Sequence, residues 1–331
     1  MKIYVKFVFE KITNFINSFK DSEREIFYNK SYLITPERES KVCIVYLVSP
    51  RESTHSDNFS KIFRASKMDI FIESVKQARQ FLPCYPILVF NEDYTTEDEI
   101  RIKNETSAQD MTFIKVDFKK YKEIGDVDSI LRLPDAVPGR PGGYRMMCRF
   151  FSGVLQGMPE LKDFEYYIRL DHDSFFMAPD LLNLNEVINK HDFDYLYRSI
   201  WYDKKEIKTL WKFTKKYASI NNLSLDGFKE LKMLDRHGDY NGRSPYNNFH
   251  MSKLEFWRRP DVLDYLNAVE SIDGIIKLHW HDTTIQAMLL GLFRPRILEK
   301  MDFGYRHNTH YSLPNSLKIA YKNSWQTNDF P

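Results

Sequence analysis

The stretch KVCIVYLVS at 41–49, apolar almost throughout and closed by Pro50, constrains the fold more than any other part of this chain. Such a run has no polar face to offer water, so it reads as a strand covered on both sides, the situation of the inner strands of a parallel sheet. The next segments agree with that assignment. From Ile62 to Leu82 the apolar residues Met68, Phe71, Ile72, Val75, Ala78 and Leu82 recur on one helical face, and Pro83 and Pro86 stop the helix. Two more strand-like runs, PILVF at 86–90 and MTFIKV at 111–116, are separated by a charged segment of helical character. This alternation predicts an α/β fold with a central, mostly parallel sheet flanked by helices, and ligands bound beyond the carboxyl ends of its strands. The Pro- and Gly-rich stretch 133–143 is a loop, 144–155 a helix, and YYIRL at 166–170 a strand that runs directly into Asp171-His172-Asp173. With no internal repeat or low-complexity linker, 41–331 is expected to be one domain, preceded by a helical and polar extension over 1–40.

A chain of 331 residues can bury a large core, and a formal net charge of +2 gives no reason to expect a polyanion such as nucleic acid as partner. Cys43, Cys84 and Cys148 form no CxxC pair, so they read as buried free thiols, not as a zinc site or disulfide framework. Near the N-terminus Tyr4, Phe7, Val8, Lys11, Ile12, Phe15 and Ile16 have helical spacing. Lys2, Lys6, Glu10 and Lys11 break up this stretch, which argues against a transmembrane span or signal peptide. It fits either a helix packed on the main domain or a partner, or a peripheral contact with a membrane surface. Several Asn-x-Ser/Thr triplets, at Asn29, Asn58, Asn104 and Asn222, would accept glycans only in a secretory lumen. By its signals the chain is expected to be soluble or peripheral and cytoplasmic.

Asp171 and Asp173 leave an apolar strand at its carboxyl end, where a ligand crevice belongs. Hard cations such as Mn²⁺ or Mg²⁺ take carboxylate oxygens together with substrate phosphates, so the pair suits a metal–diphosphate site. Two nearby aspartates also occur as helix caps or solvated residues, and the strand context is what favours the metal. His307, in DFGYRH at 302–307, is either a late structural histidine or a further metal ligand. Trp280 and Asp282 in HWHD at 279–282 suit a sugar, the ring packing on its apolar face and the carboxylate accepting hydroxyl hydrogens; Trp280 suits a core equally well. Arg145 and Arg149, one helical turn apart, either reach phosphates or make ion pairs.

Taken together these segments resemble the fungal α-1,2-mannosyltransferase family, glycosyltransferase family 15. The likeness runs from about Val42 to Tyr311. YRMMCRF at 144–150 is similar to the family's YRHMCRF and is followed by Ser152-Gly153. YYIRLDHD at 166–173 stands for YYWRVEPD, Tyr240-Asn241 and Asn248-Phe249 for its YN and NFE segments, Trp280-His281-Asp282 for WGD, and FGYRH at 303–307 for IGYYH. The resemblance implies a GT-A fold, a retaining transfer of mannose from GDP-mannose to a glycan, glycoprotein or glycolipid hydroxyl, and Mn²⁺ (or Mg²⁺) bound by Asp171, Asp173 and His307. It implies Tyr144 near the reacting sugar, with Asp282 as a further catalytic candidate. Arg51, beyond the first strand, together with Arg145, Arg149 and Asp171, would contact the nucleotide. Family members sit in the Golgi on an N-terminal anchor, which would place this chain in that lumen if it is part of a longer protein.

One departure alters the expected mechanism. The family's NFE glutamate falls on His250, which cannot simply inherit a carboxylate's role. A front-face route, in which the departing phosphate takes the acceptor's proton, is then favoured. Another donor, such as a UDP-sugar, becomes an alternative, as does a non-catalytic carbohydrate-binding protein on the same scaffold. The aspartate pair alone would also suit a nucleotidyl- or phosphotransferase. Arg243 replaces a family cysteine and removes a disulfide partner.

Overall fold

The computed structural model describes residues 42–48, 66–82, 85–118, 142–176, 193–203, 207–299, 305–307 and 310–312. Arg51, Cys84, the N-terminal extension and most of the Pro/Gly-rich segment lie outside them. In chain order the elements are β1 (Val42–Leu47), α1 (Lys67–Phe81), β2 (Ile87–Asn91), α2 (Thr96–Thr106), β3 (Met111–Lys115), α3 (Gly142–Arg149), β4 (Tyr166–Asp171) and β5 (Ser174–Phe176). They continue with β6 (Tyr195–Tyr197), β7 (Ile200–Tyr202), α4 (Ile207–Ile220), α5 (Asp226–Glu230), β8 (Arg243–Pro245), β9 (Phe249–Lys253), α6 (Leu254–Trp257) and α7 (Pro260–Ile272). Last come α8 (Gly274–Lys277), α9 (Asp282–Phe293), β10 (Ile297–Glu299), β11 (Tyr305–His307) and β12 (His310–Ser312). By their contacts the residues fall into two compact units that interleave along the chain. One contains β1 to β3, the end of β4, β5, β11 and β12; the other spans Val116–Tyr167 and Asp192–Leu298.

In the first unit the strand order is β4-β1-β2-β3, and β1, β2 and β3 pair in parallel, Tyr46 opposite Val89 and Val89 opposite Phe113. Helices α1 and α2 make the crossovers that parallel neighbours require. The reading of β1 holds: Cys43, Ile44, Val45 and Tyr46 are all 0% exposed, so both faces are covered. Each large apolar side chain removed from water contributes about 1.5–3 kcal/mol before chain entropy is counted. The helices start where local chemistry dictates. Ser66 and Asp69 form a reciprocal capping box at α1, and Thr95 and Asp98 do the same at α2, satisfying amide groups that a helix start leaves open. The chain builds β1, β2 and β3 outward and then returns to the other side of β1 with β4, so the strand order reverses between β1 and β4. In open α/β sheets that reversal opens a crevice at the carboxyl ends of the strands.

The second unit contains strands in the order β10-β6-β9, with β6 and β9 antiparallel, and a separate antiparallel pair of β7 and β8, which are distant in sequence. Its centre is α9, buried from Thr284 to Phe293 along its whole circumference. The helix expected over 144–155 appears as α3, which passes into a π turn at Phe150–Val154 and a 3-10 turn at Leu155–Gly157. Cys43 and Cys148 are buried free thiols, as expected. Among the described residues no helix is long and apolar enough to cross a membrane.

Candidate active site

β4 is buried through Leu170 and surfaces at Asp171, so its apolar sequence carries one carboxylate to the strand's carboxyl end. Strand geometry returns every second side chain to the same face, and Arg169 accordingly meets Asp171, Nε to Oδ1 3.1 Å. The next turn closes when the Asp171 N–H donates to Ser174 Oγ at 2.9 Å, which brings Asp173 round beside Asp171. β5 then pairs antiparallel with β11, placing His307 opposite Ser174 and Tyr305 opposite Phe176. This register delivers His307 Nε2 to 3.1 Å from Asp171 Oδ2 and 3.2 Å from Asp173 Oδ1.

Asp171 feels opposing influences. Burial works to raise its pKa, but the Arg169 charge and the hydrogen bond from His307 prevail and hold it below the ordinary carboxylate value, against the repulsion of Asp173. β4 is the neighbour of β1 in the sheet, and the Asp171 charge reaches Tyr46 near the end of β1.

Two carboxylates and an imidazole are donor types that a divalent cation such as Mn²⁺ takes. Six ligands at about 2.1 Å in an octahedron stand about 3.0 Å from their nearest neighbours, close to both histidine–carboxylate separations. As they stand, however, no group of three or more His, Cys, Asp or Glu side chains among the described residues is disposed to hold a metal ion. His307 donates a hydrogen bond to Asp171 and lies at ion-pair distance from Asp173, so a cation binding here would have to displace the proton on that ring nitrogen.

The second unit gathers other residues singled out from sequence. Tyr144, half-buried at the start of α3, stacks on His279 with centroids 6.4 Å apart and meets His281 edge-on at 5.9 Å. Asp282 is the first residue of α9 and accepts from Asn247 Nδ2 at 2.8 Å. His250 lies on β9, 0% exposed and stacked on Tyr195. Its Nδ1 is 2.9 Å from the Asn247 carbonyl and its Nε2 2.9 Å from the Tyr167 hydroxyl. Asn247 therefore ties His250 to Asp282.

The remaining candidates have structural partners. Arg145 is buried at 1% exposure and donates to the Ile276 carbonyl, fastening α3 to α8. Arg149 makes the ion-pair alternative, 2.6 Å from Glu270. Trp280 takes its core alternative: it is buried, packs on Phe213 at 5.2 Å and donates to Thr209 Oγ1 at 2.9 Å. Arg169, Ser174 and Asn247 were not anticipated. Arg169 had a signal in its two-residue spacing from Asp171, whereas Ser174 and Asn247 acquire their roles only through turns.

The family model for glycolipid 2-alpha-mannosyltransferases matches residues 14–330. Glycolipid 2-alpha-mannosyltransferase 2 of Candida albicans is 26% identical over 230 residues, covering 64% of this chain and 47% of that protein. The alpha-1,2 mannosyltransferase KTR1 of Saccharomyces cerevisiae is 28% identical over 190 residues, 54% of this chain and 47% of its own length. The chain thus spans about half the length of these curated relatives. Among solved structures, the mannosyltransferase Ktr4p from S. cerevisiae superposes with a TM-score of 0.72 at 21% identity, over 92% of this chain and 82% of that one. Core-mannan synthase A from Aspergillus fumigatus, in its Mn/GDP form, gives 0.66 at 21% identity over 89% and 81%. These two likenesses establish the fold, the expected GT-A type of α/β architecture.

Proposed function

The chain belongs to the glycolipid 2-alpha-mannosyltransferase family, and from that premise we propose that it transfers mannose from GDP-mannose to a hydroxyl of a glycan, glycoprotein or glycolipid, with Mn²⁺ (or Mg²⁺) under the donor diphosphate. The observation that carries this reading is the convergence of Asp171, Asp173 and His307 at the carboxyl end of β4. The Mn/GDP form of core-mannan synthase A, a protein of the same fold, supports the choice of metal and nucleotide. A cation there supplies neutralisation of the charge that grows on the diphosphate as the glycosidic bond breaks. Asp171 and Asp173 would provide its carboxylates and His307 a ring nitrogen. Arg169 keeps Asp171 ionised and aimed.

His250 replaces a glutamate, and both its ring nitrogens are already engaged, which makes it a poor nucleophile toward the sugar. We therefore favour front-face retention, the leaving diphosphate oxygen accepting the acceptor's hydroxyl proton with no glycosyl–enzyme intermediate. Tyr144 and Asp282 are assigned to the acceptor, Asp282 as a hydrogen-bond acceptor held in orientation by Asn247. Arg51, Arg145 and Arg149 do not enter the scheme: the first lies outside the described residues, and the others are bound to Ile276 and Glu270.

The test is product analysis of the purified protein with Mn²⁺, GDP-mannose and a mannoside acceptor. Free GDP together with an extended, α-linked acceptor is expected. Turnover of a UDP-sugar alone would keep the metal site and overturn the donor. Pyrophosphate release would mean nucleotidyl transfer, and sugar binding without turnover of any donor would mean a carbohydrate-binding protein.

A further inference from the structure

We infer that Ser174 and Tyr305 are positioning residues of the metal site, joined by one buried hydrogen bond that sets the distance between the aspartate turn and the strand carrying His307. The inference rests on the reading of Asp171, Asp173 and His307 as metal ligands. Ser174 Oγ has two duties. It accepts the Asp171 N–H at 2.9 Å, closing the turn between the two carboxylates, and it lies 2.6 Å from the Tyr305 hydroxyl. Tyr305 is two residues before His307 on β11, so one hydrogen bond links both segments that supply ligands.

The arrangement is anchored from behind. The Ser174 carbonyl accepts from Ser74 Oγ of α1 at 2.6 Å, and Ser74 Oγ is 3.3 Å from the Tyr46 hydroxyl of β1. The Tyr305 ring is set edge-on against Phe176, which stacks on Phe81 of α1. Ser74 and Ser174 are 0% exposed and Tyr305 2%, so water cannot substitute for a lost hydroxyl. β5 and β11 have three residues each, too few ladder bonds to hold a register firmly by themselves. A shift of one residue would turn His307 to the other face and remove it from the carboxylates. The Ser174–Tyr305 bond opposes that slip.

Partners of metal ligands typically alter metal affinity by 10–100-fold when removed. The experiment is a Mn²⁺ titration of the nucleotide-free protein followed by electron paramagnetic resonance of free Mn²⁺, alongside thermal melting without metal. Tyr305→Phe, which removes only an oxygen, should raise the Mn²⁺ Kd about tenfold. Ser174→Ala, which also frees the Asp171 amide, should raise it further, and the double variant should resemble Ser174→Ala alone, because both changes remove the same bond. Ser174→Thr, which keeps the hydroxyl, should bind more tightly than Ser174→Ala. Unchanged Kd in Tyr305→Phe, or multiplicative losses in the double variant, would overturn the inference even if the melting temperatures fall. A wild-type protein that takes up no Mn²⁺ would overturn the metal reading itself, and the inference with it.

Discussion

His250 and His307 are both held by protein groups, with opposite consequences. His307 faces two carboxylates, the arrangement proposed above to take a cation; His250 is enclosed, with Asn247 and Tyr167 on its nitrogens and Tyr195 against its ring. Truncating His250 to alanine leaves a cavity and strands the Tyr167 hydroxyl, so His250→Ala should lose about 2–4 kcal/mol in urea unfolding. Turnover measured below its melting point should fall only partly, and donor-derived sugar trapped on His250 of the wild type would contradict the front-face route. Asp194 illustrates the acid limb. Burial pushes its pKa up, but hydrogen bonds from the Arg296 side chain and backbone outweigh this and leave it lowered. A lowered carboxylate stabilises the fold fully above its unfolded pKa of about 3.9 and loses that contribution as pH falls through the folded value. Asp194→Asn should therefore destabilise the protein at pH 6 and show a shallower loss of stability between about pH 4 and 2 than wild type, measured by urea midpoints. The aspartate pair was legible from sequence because it terminates an apolar strand. The burial of Arg145 was not, since one-turn spacing with Arg149 says only that two guanidinium groups share a helix face, never what covers it.

At the scale of elements, long and periodic segments were readable and short ones were not. β1 and α1 were recognised from runs of apolar residues, whereas β5, β11 and β12 have three residues each and no period to detect. Their register nonetheless brings His307 to the site. Helix α2 starts at a capping box in which the Thr95 side chain accepts from the Asp98 amide and the Asp98 side chain accepts from the Thr95 amide. Thr95→Ala should cost about 1 kcal/mol of stability in chemical denaturation, with Thr95→Ser restoring most of it. α8 and the segment after it pack more tightly than their sequence suggests. A Cβ on Gly274 would overlap the six-membered ring of Trp280, whose indole is wedged beside Phe213. Gly274→Ala should lose about 1–3 kcal/mol and alter Trp280 fluorescence, because a close-packed interior cannot absorb the added methyl. Trp280 thus serves packing, an outcome its sequence neighbours left open beside sugar binding.

For the whole molecule, the metal reading makes a linkage prediction. A ligand that binds only the native state raises its stability, by about 2.7 kcal/mol at a hundred times its Kd. GDP with Mn²⁺ should raise the melting temperature more than GDP alone, and Asp173→Ala should abolish the Mn²⁺-dependent part while melting within a few degrees of wild type without ligand. An undiminished Mn²⁺-dependent shift in that variant would remove Asp173 from the metal site. The two compact units interleave along the chain, one ending at Tyr167 within β4 and the other resuming at Ile168, a division that leaves no linker in the sequence. By itself the sequence determined the succession β1-α1-β2-α2-β3, the burial of β1, and the emergence of Asp171 and Asp173 at the end of β4, because hydrophobic period and strand ends are local properties. Tertiary structure alone decided that Ser174 meets Tyr305, that His307 faces both carboxylates, and that His250, Arg145 and Trp280 are enclosed. Those outcomes depend on pairing and packing between residues far apart in the chain, where no local pattern reports the partner.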